Sequence, residues 1–301
     1  MSTNPLLQTS SLPNHAPDFQ AIQDDHYLPA VETAIAQARK NVDAIKNNPA
    51  APDFSNTIEA LESCSELLGD VTGIFYNALS AMGGDGLHHL AEQIGPLSAD
   101  FSSAIMLAET LFARVKAVHD KKDSLSFTAE QQTLLKESYK DFVRSGALLP
   151  PEKKQRLREI AQQLSILGPQ FMKNAKKSAE AYHLLITHEK DLAGLPDTAR
   201  EAAAHAAAER GHKGQWLFTL DMPSYIPFIQ YADNRELREQ IWRAFAARAY
   251  QDDFDNCETV LKIVRLKHER ANLLGYKTHA HFVLEERMAE KPETVFAFLE
   301  K

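Results

Sequence analysis

Apolar residues recur along most of this chain in steps of three and four, the rhythm of helices that bury one face. After Pro29 the positions Val31, Ile35, Ala38, Val42 and Ile45 form one such stripe, closed by Asn47, Asn48 and Pro49. Asn56 with Glu59 has the spacing of a reciprocal cap and opens a second stripe: Ile58, Leu61, Leu68, Val71, Phe75 and Leu79, up to Gly83 and Gly84. A third runs from near Ser98 through Phe101, Ile105, Ala108, Phe112 and Val115. Thr128 with Gln131 predicts the cap of a fourth helix ending at Gly146. Pro151 then suits a first helical turn, and Leu157, Ile160, Leu164, Leu167 and Phe171 mark a long fifth helix. Long helices joined by short turns predict a bundle. On this reading Leu164→Asp places an unpaired carboxylate in the interior, at a cost of roughly several kcal/mol.

The texture changes beyond residue 181. Tyr182 to Ile186 and Gln215 to Leu220 are short, rich in branched and aromatic residues, and predict one or two strands. Between them an alanine-rich helix is expected from Asp197 to Arg210, stopped by Gly211. Helical patterning resumes after Pro223 and Pro227, with Leu237, Ile241, Phe245 and Ala249, then Val260, Ile263, Val264, Leu266 and Leu273 up to Gly275. A shorter segment follows from Thr278 to Ala289. Pro292, Val295, Phe296 and Leu299 begin a final stripe that has no terminating signal before Lys301, which predicts that more chain follows. The expected organisation is an amino-terminal tail over 1–16, a long-helix bundle over 17–181, and a mixed and helical part over 182–301.

Composition narrows the function classes. The 301 residues carry 33 Lys and Arg against 41 Asp and Glu, a formal charge of -8 that argues against a nonspecific nucleic-acid binder. No run of apolar residues is long enough to span a bilayer, and the polar start has no signal-peptide core, so a cytoplasmic location is the default expectation. Cys64 and Cys257 have neither ligand spacing nor a disulfide framework, and each reads as a small buried hydrophobe.

Hydrolytic zinc is commonly held by His-Glu-x-x-His on a helix, because residues four apart share a face and the glutamate addresses the bound water. Two places come close. His188-Glu189 meets Leu192 where the second histidine would stand, and His268-Glu269 meets Asn272. His268 and Glu269 lie between Lys267 and Arg270, so a solvated or salt-linked helix face explains them better; His188 reads as a surface turn. His88 and His89 are adjacent rather than facing, and Gly83-Gly84-Asp85-Gly86 reads as a helix–helix turn rather than a phosphate loop. No catalytic or metal-ligating residue is therefore expected in this chain. One segment suggests binding. Trp216, Phe218, Met222, Tyr225, Phe228 and Tyr231 gather six large side chains around a strand and a proline-bounded turn, either as the wall of a peptide-holding cleft or as a hydrophobic hinge.

Four stretches, in order, resemble the zinc oligopeptidases of the thimet oligopeptidase group. They are Phe19 to Ile22 with His26 to Ala30, Phe142 to Leu149 with the following helix to Asn174, Trp216 to Tyr225 leading into Arg235 to Arg238 and Ala244 to Tyr250, and Arg270 to Ala289 around Gly275-Tyr276. The resemblance covers residues 17–301 and implies a mainly α fold, a multi-helical lobe of the neurolysin-like type with at most one or two short strands. It also implies a parent about twice as long, with zinc and the groups that orient substrate in a carboxyl-terminal half, acting on short unstructured peptides. The early segments look closer to the oligopeptidase A and dipeptidyl type than to neurolysin-like enzymes. By this resemblance the chain contributes one wall of a substrate channel, holds no zinc itself, and partners the catalytic domain of the same polypeptide in a monomeric parent. An independent helical peptide- or protein-binding scaffold is the alternative, and a large exposed apolar surface would favour the lobe.

Overall fold

In the computed structural model, which describes residues 4–301, the helix-period stripes become helices. The fold is mainly α, with one two-stranded sheet among the described residues. The polypeptide divides into two units: Met1–Pro169 with Ile263–Lys301, and the intervening Gln170–Lys262.

The first unit is built on α1 (Asp24–Lys46). It starts before Pro29: His26 Nδ1 reaches back to accept from Gln23 N at 3.0 Å, and Pro29 is carried inside the helix. All five residues of the predicted stripe are buried, against α3 (Glu66–Ala81) and α4 (Asp85–Met106). The predicted second helix is interrupted. Its cap is Asp53 rather than Asn56: Asp53 Oδ1 accepts from Asn56 N at 2.7 Å while Asn56 Oδ1 accepts from Asp53 N at 3.1 Å. A π-type turn over Phe54–Glu59 leads into the short α2 (Ala60–Ser63), and α3 restarts after a break at Cys64 and Ser65. Arg114 stabilises the turn by donating to Asn48 O at 3.0 Å and Asn56 Oδ1 at 2.9 Å, contacts 66 and 58 residues apart that no local pattern announces.

The predicted third helix is two. α4 begins directly after Gly83 and Gly84, whose φ angles of 63° and 98° are the left-handed turn expected there, and α5 (Glu109–His119) follows a break at Leu107 and Ala108. Leu107 is buried at that break, so the apolar period continues through it. α6 (Ala129–Arg144) has the expected cap, Gln131 N to Thr128 Oγ1 at 3.2 Å and Thr128 N to Gln131 Oε1 at 3.1 Å. α7 runs over Pro151–Ala181. Leu157 and Ile160 are buried, but Leu164, Leu167 and Phe171 are only half-buried, so the severe cost expected for Leu164→Asp is corrected to a moderate one. The segment read as an amino-terminal tail is held by two residues: Leu6 is buried in the core of this unit, and Asn4 Nδ2 donates to His26 O at 2.8 Å. Met1 to Thr3 of that segment lie outside the described residues.

The second unit pairs β1 (Leu184–Ile186) antiparallel with β2 (Trp216–Phe218), Leu184 opposite Phe218 and Ile186 opposite Trp216. α8 (Asp197–Glu209) packs on β2, and Gly211 with φ 85° stops the segment as expected. α9 (Met222–Tyr231) replaces the predicted proline-bounded turn. Pro223 lies in the first turn, where an amide hydrogen has no helical partner, and Pro227 costs a single ladder bond. α10 (Arg235–Ala246) is capped by Asn234, and its Ile241 is fully buried. Ala249 falls beyond α10 with φ 54° rather than continuing the stripe; its amide donates to Ser178 Oγ at 2.8 Å and its carbonyl accepts from Asn256 N at 2.8 Å. α11 (Cys257–Leu273) leads to α12 (His279–Leu284) and α13 (Pro292–Leu299). Cys64 and Cys257 are free thiols, and burial pushes the Cys64 thiol up.

Candidate functional site

The six large residues between Trp216 and Tyr231 divide by burial. Phe218 and Phe228 pack in the core of the second unit with ring centroids 4.6 Å apart, and Tyr225 stacks on Phe245 at 4.1 Å. Their rings hold the strand to α9. Met222 and Tyr231 are about half exposed, at 53% each, and Trp216 is half-buried, so these three can touch a ligand. Thr219 and Ser224 fix the turn between strand and helix: Thr219 N donates to Ser224 Oγ at 3.0 Å, and Asp221 N donates to Thr219 Oγ1 at 3.3 Å.

Of the two His-Glu pairs, His268-Glu269 has a structural duty. Glu269 takes a two-pronged bond from Arg156, Nε to Oε1 at 2.6 Å and Nη2 to Oε2 at 2.9 Å. Those hydrogen bonds hold its carboxyl below the usual glutamate range, and Arg156 is raised in return by Glu269 and Glu159. Asn272 Nδ2 returns to His268 O at 2.9 Å, an interaction within one helical turn. His188 is exposed and precedes a 3-10 turn over Glu189–Leu192.

A second cluster was not evident from the sequence. Arg144, at the end of α6, donates through Nη2 to Phe282 O at 2.7 Å and through Nη1 to Tyr276 Oη at 3.2 Å and to the Glu285 carboxylate. Tyr276 Oη in turn donates to Glu285 Oε2 at 2.6 Å. Lys140, one turn earlier, pairs with Glu286 at 2.7 Å and with Glu137, and its bond to Glu286 holds that carboxyl down. The Gly275-Tyr276 string is thereby locked onto α6. Partners separated by 132 to 146 residues leave no local signal.

The peptidase family M3 model matches residues 228–301, which include this locked string. Over 302 aligned residues the chain is 35% identical to oligopeptidase A of Salmonella typhimurium, covering 99% of this chain and 44% of that protein. It is 35% identical to the dipeptidyl carboxypeptidase of the same organism with the same coverage, and 30% identical to the probable cytosolic oligopeptidase A of Arabidopsis thaliana over 96% of this chain and 41% of that protein. Residues 228–301 thus match peptidase family M3, and the chain as a whole is similar to oligopeptidase A and dipeptidyl carboxypeptidase. It spans less than half the length of these relatives.

Zinc chemistry does not fit the described residues of this chain. Among them no group of three or more His, Cys, Asp or Glu side chains is placed to hold a metal ion, and Glu269, the glutamate of the nearer pair, is engaged by Arg156. Among the described residues no helix is long and apolar enough to cross a membrane.

Proposed function

We propose that the chain forms one lobe of an M3 zinc oligopeptidase, lining a channel for short unstructured peptides, while the part of the relatives that it does not span supplies the zinc and the catalytic groups. The observation that carries this reading is the alignment: 99% of this chain against 44% of proteins named oligopeptidase A and dipeptidyl carboxypeptidase. Exposed apolar surface supports the lobe over an independent scaffold. On α13 alone Phe296, Phe298 and Leu299 are exposed, and in the second unit Met222, Tyr231 and Trp242 are. The wall assigned to Trp216, Met222 and Tyr231 would bind peptide through apolar contact, with Phe218, Tyr225 and Phe228 supporting it from beneath.

The test compares this chain with the longer polypeptide of its gene on a quenched fluorogenic peptide, with and without a chelator. The longer protein is expected to cleave the peptide in a chelator-sensitive way, and this chain alone to leave it intact. In the longer protein Tyr231→Ala should raise KM by roughly threefold to tenfold with kcat little changed, as the loss of a contact equal in ground and transition states does. Chelator-sensitive hydrolysis by this chain alone, or no peptide hydrolysis by the longer protein with zinc supplied, overturns the reading.

A further inference from the structure

Within the first unit, α4, the end of α6, α7, α11 and α12 enclose a cavity of about 220 Å³. Leu107, Leu157, Leu274 and Phe282 give it an apolar wall, and Arg144, Ser145 and Arg270 bring polar groups to it. The two guanidinium groups differ. Both lie over the Phe282 ring, Arg144 at 4.4 Å from the centroid and Arg270 at 5.3 Å. Arg144 is neutralised by Glu285 and donates to two further oxygens. Arg270 is not so served: its Nε is buried without a hydrogen-bond partner among the described residues. Burial pushes its guanidinium below the ordinary arginine value with no carboxylate offsetting the loss of water. The cation–π contact compensates only part of that loss. His279, on the same helix as Phe282, is lowered first by its own burial and then by the positive charges of Arg270 and Lys267.

A cation left without a counter-charge beside an apolar cavity is a receptor for an anion. The net excess is one charge, because Glu285 cancels Arg144, and this selects a monoanion over a dianionic phosphate. The planar fork of arginine matches a carboxylate, and the apolar wall matches a hydrocarbon group attached to it.

We propose that this cavity binds a carboxylate carrying an apolar substituent, with Arg270 as its anionic anchor. Such a group can come from the carboxyl-terminal residue of a peptide or from a small free acid. The site is a property of the first unit and does not depend on the channel role proposed above.

Isothermal titration of this chain with N-acetylphenylalanine, 3-phenylpropionate, N-acetylphenylalaninamide and inorganic phosphate tests it. At least one of the two carboxylates should bind in the millimolar range or tighter, and the neutral amide and phosphate at least about tenfold more weakly, the factor expected from one charge-assisted bond. Tighter binding of N-acetylphenylalanine supports a peptide terminus as the source; equal or tighter binding of 3-phenylpropionate supports a free acid. Arg270→Met should reduce binding by at least about tenfold while leaving the circular dichroism spectrum unchanged and the Tm equal or higher, since it removes a desolvated charge. Arg270→Lys, which keeps the charge, should retain part of the binding. No binding of either carboxylate at 10 mM (roughly the weak limit of the method), equal binding of the amide, or undiminished binding by Arg270→Met overturns the proposal.

Discussion

Gly194 shows how one residue can be dictated by its surroundings. Its φ is 84°, and a methyl group at its Cα would stand 2.1 Å from the Tyr231 carbonyl oxygen and 2.7 Å from Asp233 Oδ1. Nearby, Asp233 N donates to Ala193 O at 2.8 Å, which holds the end of α9 against this turn. Gly194→Ala combines an unfavourable backbone conformation with a collision against backbone, so it should destabilise the second unit by about 2–4 kcal/mol. Urea denaturation followed by the fluorescence of Trp216 and Trp242 measures it; a loss under about 0.5 kcal/mol, the range of a neutral surface change, would show that the turn relaxes freely. Legibility also varies residue by residue. Thr128 and Gln131 could be read as a cap because both partners are local, whereas Arg114, Arg144 and Arg156 act on residues 58 to 141 positions away. The cluster of five aromatic residues and Met222 was legible as large side chains in one stretch. Which of them face solvent was not, because α9 turns Tyr225 and Phe228 inward with a helical period that its two prolines concealed.

At the scale of elements, periodicity located helices better than it located their ends. The stripe of α1 is buried as read, yet α3 and α5 each begin after a break with no Gly or Pro to mark it, at Cys64-Ser65 and Leu107-Ala108. Tertiary contacts mark them instead: Asn41 Nδ2 donates to Cys64 O at 2.9 Å at the first break, and Leu107 is buried at the second. α7 shows the complementary error, a stripe longer than the face it buries. Ile160 is fully buried and Leu164 is not, so Ile160→Ala should cost about 2–4 kcal/mol and Leu164→Ala clearly less, as the cavity left behind sets the loss. Chemical denaturation of the two variants settles the order. Equal losses would place the buried face of α7 elsewhere.

At the scale of the whole molecule, fold class and family resemblance were legible and the chemistry was not. Four short strings carried that resemblance, and the alignment over nearly all of the chain agrees with them. The cavity beside Arg270 could not be read in advance, since its walls come from five helices and its defining property is a missing counter-charge.

The discontinuity of the first unit also has a consequence in time. Arg144 leaves the ribosome well before Tyr276 and Glu285, the partners that complete its end of α6, and all of residues 170–262 are made in between. At a synthesis rate of roughly 5–20 residues per second, that interval lasts on the order of five to twenty seconds. During it the second unit has its strands and core residues in hand, while the first waits with an arginine and an apolar wall uncovered. Ribosome-stalled chains ending far enough past Lys262 to clear the exit tunnel should therefore show protease protection in the second unit before the segment around Arg144 gains it; the reverse order would mean that the first unit closes without its last three helices. The earlier-born unit is thus expected to be the later to mature.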